Sequence, residues 1–504
     1  MKTTWAGPSA TAACAWPGRT SWKFSTSWKK ELPLSSFDPA GRPASETWLH
    51  FAGMAGSGMS ALAQFHAFGG GFATGSDRSF DQGRRADIRA KLEGLGIVAV
   101  PQDGSFPTAG GGRRCDAVVV STAVEDKVPD VRAARELGIP ILHRSQLLAH
   151  YVATHRTIAI TGTSGKSTVT AMVYSLLRGA GRHPALLTGG AVEELIAEGH
   201  IGNAFYPAGA TDPAATLLVI EADESDGSVV RYHPWLGVVL NLGLDHKEPA
   251  EILGMFRRFR AQTQDGFLRG DQPELAELSG PETAFGLEDG PGLRARDLQT
   301  DDRGTRFTVE GVPFRLPVPG RHNVANAVAA LAACRRAGVP LEDMVAPLAA
   351  FRGVARRFQS IGRRRGVEVI DDFAHNPDKI AAALATAADR APGRVLAVFQ
   401  PHGFGPTRFL RKALVETFAA SLRDGDVLWL PEIFFAGGTV QRTISSRDLV
   451  TDLTGRGVDA RFCARREELP TMLADAAREG DLILVMGARD PSLTAFCGDV
   501  LKAL

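Results

Sequence analysis

The chain has 504 residues, of which 44% are hydrophobic and 22% charged, an ordinary globular balance in a chain too long for one core, so two to four domains are expected. A formal net charge of +1 argues against a dedicated nucleic-acid or anionic-membrane binder. Five scattered cysteines (Cys14, Cys115, Cys334, Cys463, Cys497) with no CxxC spacing suggest neither a zinc site nor a disulfide framework, and fit reduced thiols in a cytoplasmic protein.

Residues 1–46 differ in kind from the rest. Five of the seven tryptophans fall within the first 48 positions, and no acidic residue precedes Glu31. No apolar core follows the basic residues, so a secretory signal is not expected, and the segment reads as a disordered extension. Beyond it, short β-branched runs alternate with helical stretches, which predicts parallel sheets in successive α/β blocks. Solenoid repeats, transmembrane runs and coiled-coil heptads are absent from the sequence.

The first block opens with WLHFAGMAGSGMSALAQFHAFGGGFATGSD, residues 48–77. A strand ending at Gly53, a turn through Gly56 and Gly58, a helix from Met59 and a second strand closing on Asp77 are predicted. The turn is similar to a dinucleotide fingerprint, with Asp77 where an acidic residue meets a ribose. Its spacing is GxxGxG, so hydride chemistry is not indicated, and tight strand–helix packing explains the glycines equally well.

TIAITGTSGKSTVT, residues 157–170, starts the second block. A buried strand runs to Thr161 and an apolar helical face follows from Thr168 to Leu177, placing Gly162 and Gly165 on the strand-to-helix turn. Amides at a helix start suit an anion, Lys166 would reach terminal phosphates, and the Ser167 hydroxyl would bind Mg2+. The usual loop has a glycine where Ile160 stands, so a plain glycine turn with a surface lysine is the competing reading. Two later strands end in Glu221 and in the Asn241–His246 segment. The carboxyl ends of parallel strands share one rim, so Gly162, Lys166, Ser167, Glu221 and His246 would converge there as a Mg-nucleotide site. Taken singly, Glu221 reads equally as a solvated carboxylate and His246 as a surface residue.

After GRHNVANAVAALAACRRAG (320–338), a predicted Ala-rich helix, the third block places polar residues at strand ends: Asp371, Asp372, His375, Asn376, His402, Arg408 and Asp490. HFAGMAGSGMSALA, TGTSGKST, EADESDGS, LDH, GRHNVANAVAA, GVARRFQ, DDFAHNP and FQPHGFGPTR occur in that order. Over residues 47–504 this series resembles the Mur ligase family, ATP-dependent amide-forming enzymes of peptidoglycan synthesis, and within it the alanine-adding branch. The family's TGTxGK[ST] loop lacks the early glycine.

The resemblance implies three α/β domains: a Rossmann-like domain for a UDP substrate (47–152), a central P-loop ATPase with a parallel sheet (153–352) and a C-terminal Rossmann-like domain that closes over ATP (353–504). It implies UDP-N-acetylmuramate and L-alanine as substrates, with a short L-Ala-headed peptide as the alternative amine. ATP and Mg2+ are the implied cofactors, in a monomer or homodimer. Carried over residue by residue, Gly53, Gly56, Ser57, Gly58 and Met59 would lie near the UDP diphosphate and Asp77 near the uridine. Gly162, Thr163, Ser164, Gly165, Lys166, Ser167 and Thr168 would hold the ATP phosphates. His322, Asn323, Asn326 and Asp372 would serve the nucleotide, and Ser167, Glu221 and His246 the metal. Glu224, Ser225, Arg356 and His402 would meet the substrate, with Lys166, His246, Arg357 and His375 catalytic. Ser164, Asn376 and the Gly403–Pro406 run depart from the alanine-adding pattern and leave the incoming amine open. A non-catalytic nucleotide-binding regulator would be expected to have lost Lys166, Glu221 or His246, and all three are present.

Overall fold

The computed structural model describes residues 46–210, 212–243, 248–301, 303–435 and 442–504. The expected extension (all but residue 46) and His246 therefore lie outside the described residues. Three sheets organise the rest. In the first, β1 (Trp48–Ala52), β2 (Phe72–Ser76), β3 (Val98–Val100), β4 (Ala117–Val120) and β5 (Ile141–His143) run parallel in the order β3-β2-β1-β4-β5. The order reverses beside β1, where a doubly wound sheet leaves a crevice for ligand. Gly53 opens that end of β1 into helix α1 (Ser57–Phe68).

The second sheet contains β6 (Arg156–Thr161), β7 (Ala185–Leu187), β8 (Ala204–Phe205), β9 (Leu217–Glu221), β10 (Leu236–Val239), β11 (Gly266–Gly270), β12 (Ala284–Gly286), β13 (Leu293–Asp301), β14 (Gly304–Val309) and β15 (Val312–Leu316). Its order is β15-β14-β13-β12-β11-β10-β6-β9-β7-β8. The stretch from β13 to β7 is parallel, as expected. Both edges depart from that expectation, because β8 pairs antiparallel to β7 and β13, β14 and β15 form an antiparallel meander. Helix α2 (Arg144–Thr154) leads into this sheet, and α3 (Lys166–Gly179) packs on α4 (Arg321–Arg336). Small side chains on α4, among them Ala327, Ala330 and Cys334, allow that close approach and share one core with Met172, Val173 and Tyr174.

The third sheet, β16 (Gln359–Arg364), β17 (Val367–Asp372), β18 (Val395–Phe399), β19 (Val427–Pro431), β20 (Ala460–Cys463) and β21 (Leu482–Met486), has the order β16-β17-β21-β18-β19-β20. Only its edge pair, β16 with β17, is antiparallel. Separate apolar clusters cover its two faces. The first two sheets, in contrast, share a core: Leu49, Phe51 and Phe65 belong to one cluster with Ala159, Ile220, Val239 and Phe256. A buried polar clamp crosses the same junction, where Gln64 Nε2 donates to Asn203 Oδ1 (2.9 Å) and Asn203 Nδ2 donates to Ser60 Oγ (2.9 Å) and to the Ser57 carbonyl (2.7 Å).

The expected boundary after residue 152 falls in the last turn of α2, and the one after 352 falls just before β16. Among the described residues, no helix is long and apolar enough to cross a membrane. Cys115, Cys334, Cys463 and Cys497 are buried free thiols.

Candidate active site

The turn from β6 to α3 is shaped by its glycines. Gly162 has φ +141°, and a Cβ there would lie 2.9 Å from Leu240 Cβ and 3.1 Å from the Asn241 backbone nitrogen. At Gly165, φ is +85° and a Cβ would sit 2.5 Å from Asn326 Oδ1. Neither position accepts a side chain without strain. Asn241 braces the loop from within: its Oδ1 accepts from Thr163 Oγ1 (2.9 Å) and Ser164 N (2.8 Å), and its Nδ2 donates to Ser164 O (3.0 Å). First-turn amides of α3 have no partner inside the helix, so this fixed loop presents donors to an anion.

Lys166 opens α3. Its Nζ donates to Gly162 O (2.9 Å) and to Glu224 Oε2 (2.8 Å), with Asp223 Oδ1 at 3.7 Å. Burial alone would lower its pKa, but the carboxylates of Glu224, Asp223 and Glu221 outweigh it and hold the ammonium above the usual lysine range. One residue on, Ser167 Oγ donates to both oxygens of Glu221 (3.1 and 3.0 Å). Thr188 Oγ1 (3.0 Å) and Gly189 N (2.8 Å) also donate to Glu221 Oε2. A hydroxyl and a carboxylate held this close beside a phosphate loop form a hard oxygen donor set that fits Mg2+.

A cleft of about 440 Å3 runs from this loop to the third sheet. Residues 163–168, Glu221, Glu224, Ser225, His322, Asn323, Asn326, Arg357, Asp372 and His375, all expected in the site, line it together with Asp223. Burial depresses the His322 imidazole, which favours its neutral form. On the opposite wall the Asp372 carboxylate accepts from Phe358 N (2.6 Å) and Ala374 N (2.7 Å). Burial pushes it up to about 6, with Arg357 opposing. Desolvation likewise lowers the Arg357 guanidinium, while Asp372 and Glu221 favour its charge. The Nδ1 of His375 lies 2.9 Å from the Phe373 carbonyl. Donation to that oxygen puts the lone pair of the neutral ring on Nε2.

Other expected residues lie elsewhere. His402 is outside the cleft lining but its ring lies 5.6 Å from that of His375. Arg356 faces away, donating to Gly487 O (2.7 Å) and Ala488 O (3.1 Å) and lying 3.3 Å from Asp371. Met59 is packed in the shared core. Gly53, at φ +82°, allows the turn after β1, and Gly56 and Ser57 are exposed at the start of α1. Both Asp77 oxygens accept backbone donors, Ala55 N (3.0 Å) and Ser79 N (2.7 Å).

Arg144, which the sequence did not single out, reaches over that helix start. A Cβ on Gly58 would lie 2.8 Å from its Nη1, and its Nη2 donates to Asp226 Oδ2 at 2.6 Å. Gly58, Arg144, Thr188 and Tyr232 bound a second cavity of about 90 Å3, which shares Glu221 and Asp223 with the main cleft. Thr188, Asn203 and Arg144 act across contacts that leave no local pattern. Asn241 was visible as the first polar residue after an apolar strand.

The fold and the cleft define a phosphate-loop α/β protein whose third unit faces the nucleotide loop. Family comparisons narrow that class. Residues 49–156 match the Mur ligase family catalytic domain, 160–334 the Mur ligase middle domain and 356–489 the Mur ligase glutamate ligase domain. The chain belongs to the Mur ligase family. It is 34% identical over 467 residues to a UDP-N-acetylmuramate--L-alanine ligase of Parasynechococcus marenigrum, covering 88% of this chain and 96% of the relative. The crystal structure of UDP-N-acetylmuramate-alanine ligase MurC from Thermotoga maritima superposes with a TM-score of 0.72 at 25% identity, covering 90% of this chain and 97% of that one. A murein peptide ligase from Psychrobacter arcticus shares the fold, with a TM-score of 0.66 at 20% identity over 91% of this chain and 98% of its own.

Proposed function

We propose that the protein is an ADP-forming ligase of peptidoglycan precursor synthesis that joins L-alanine to UDP-N-acetylmuramate. The observation that carries this reading is the wall common to the two cavities. Glu221 and Asp223 face both the phosphate-loop cleft and the cavity under Gly58 and Arg144. A substrate anchored by its diphosphate at the start of α1 and extending through that cavity would bring its carboxylate to the terminal phosphate of a nucleotide on α3.

A carboxylate is a poor electrophile until it is activated. Phosphoryl transfer from ATP gives an acyl phosphate and ADP; the amine nitrogen then bonds to the acyl carbon, the carbon–oxygen bond to phosphate breaks, and the amine loses a proton. Magnesium on Ser167 and Glu221 would neutralise charge between the two anions. Lys166 adds a fixed positive charge from its own helix, and the loop amides hold the phosphates without reorganising. His322, Asn323 and Asn326 border the nucleotide end of the cleft. Arg357 and Asp372 approach from the third sheet, so closure of that unit would exclude the water that hydrolyses an acyl phosphate. His375 lines the cleft on the third-sheet side and is the proton acceptor in this reading.

The tripeptide alternative is less supported, because the curated relatives at 32–34% identity carry the alanine-ligase name over most of their length. Phosphate release by the purified protein with ATP, Mg2+ and UDP-N-acetylmuramate tests the choice. Release that depends on L-alanine, with little from L-serine, glycine or L-Ala-D-Glu-diaminopimelate, is expected. A preference for the tripeptide would overturn the amine, and no release with any of them would overturn the reaction.

A further inference from the structure

One short loop joins the Ser167–Glu221 pair to the hinge, residues 353–358, that precedes the third sheet. It leaves β7 at Thr188, whose hydroxyl binds Glu221, and Gly190 N donates back to Thr188 Oγ1 (3.3 Å). A Cβ on Gly190 would lie 2.8 Å from Val354 Cγ1 and 3.0 Å from Ser167 Cβ, so the loop is wedged between the phosphate-loop helix and the hinge. The next residues pair with the hinge backbone. Ala355 N donates to Ala191 O (2.8 Å), Val192 forms an antiparallel bridge with Val354, and Glu193 N donates to Gly353 O (3.2 Å).

Among the described residues, a side-chain bond extends this pairing to the third sheet. Gln359 Nε2, on the first residue of β16, donates to Glu193 Oε1 at 2.8 Å, while Gln359 Oε1 accepts from Arg356 N at 2.9 Å. Arg356 and Phe358 have φ of +60° and +50°, a left-handed conformation that costs ordinary residues free energy and persists only where neighbours impose it. Arg357 lies between them and lines the cleft. The Gln359 amide therefore holds the turn at both ends, one bond inside the turn and one to the second-sheet loop.

We infer that Glu193 and Gln359 are positioning residues that register the third-sheet unit, and with it Arg357, against the phosphate loop. Neither side chain lines the phosphate-loop cleft. Their effect passes along Thr188–Glu193 on one side and Arg356–Phe358 on the other. Because Glu221 anchors the loop's first residues, a nucleotide–metal complex that engages Glu221 stabilises the same loop on which the third unit is registered.

Hydrogen exchange with Mg2+ and a non-hydrolysable ATP analogue tests this without the ligase reaction. Wild type should gain protection at 162–168 and at 353–359. Glu193→Ala should keep the first and lose the second, and Glu193→Gln, which retains an acceptor oxygen, should keep both. Protection of 162–168 without 353–359 in wild type, or equal protection of both in Glu193→Ala, overturns the inference. No protection of 162–168 in wild type would remove the nucleotide site and the inference together. The kinetic arm rests on the proposed reaction: Glu193→Ala should lower kcat about five- to tenfold with KM for ATP within about twofold, and release more phosphate per amide formed, with Glu193→Gln near wild type. A loss shared by kcat and KM, or one as large in Glu193→Gln, counts against it. If Glu193→Ala fails to fold, Gln359→Glu replaces it in both arms, since it keeps an acceptor for Arg356 N and sets two carboxylates together.

Discussion

Lys166 and Glu224 bind each other in a setting where neither could be removed alone without consequence. The Glu224 side chain is only 3% exposed, so deleting the lysine strands a buried carboxylate. Lys166→Ala is expected to lower turnover about a hundredfold, the scale of one lost electrostatic contact of about 3 kcal/mol, and also to lower the melting temperature. Adding Glu224→Gln should restore the melting temperature and leave turnover low. Recovery of both would make the lysine's role purely structural. At the facing wall, Asp372 yields a pH signature. Its folded carboxyl is raised to about 6 from 3.8 by burial, so between roughly pH 4 and 6 the folded chain binds more protons than the unfolded one. Its contribution to stability is full below that window and is lost as pH rises through it. Asp372→Asn does not titrate, so its melting temperature relative to wild type should climb as pH rises from about 4 to about 7. A constant gap between the two melting curves would show that the carboxyl is not raised.

At the scale of elements, strand, turn and helix cooperate at Gly162. A methyl there meets Leu240 and the Asn241 amide, the residue that braces the loop. Gly162→Ala should therefore cost about 1–3 kcal/mol in denaturant unfolding and weaken ATP binding in calorimetric titration. Unchanged affinity would mean that the loop tolerates a shifted backbone. The β6–α3 unit was legible because an apolar run, glycines and Lys-Ser-Thr are contiguous. The β13–β15 meander was not. Its last hairpin turns on Glu310 and Gly311, both at positive φ (+49° and +84°), and glutamate in place of the usual asparagine or aspartate hides the turn signal. β16 ends in Arg363 and Arg364, charge that suits an edge strand and dilutes its apolar pattern. Arg144 and Asn203 leave no signal in the sequence for another reason. Their partners Asp226 and Gln64 lie 82 and 139 positions away, and no periodicity encodes such pairs. His322, Asn323 and Arg357 came from the family resemblance, since their residue types alone announce no chemistry.

Over the whole molecule, the core common to the first two sheets and the separate clusters of the third predict two unfolding transitions by calorimetry rather than three. Asn203→Ala leaves the Gln64 amide without its cross-junction acceptor in a buried setting, so it should weaken the joint transition by about 1–3 kcal/mol and leave the other in place. Three resolved transitions would contradict the shared core. That core has a further consequence. With the α1 turn and the phosphate loop set in one rigid body, the span between them works as a fixed gauge, and an acceptor is accepted by its reach as well as its groups. On the proposed reaction, the product has its carboxyl carried one alanine farther from the diphosphate, too long for the gauge. The enzyme would add a single residue and stop, and incubation of UDP-N-acetylmuramoyl-L-alanine with ATP and excess L-alanine should yield no dipeptide by mass spectrometry.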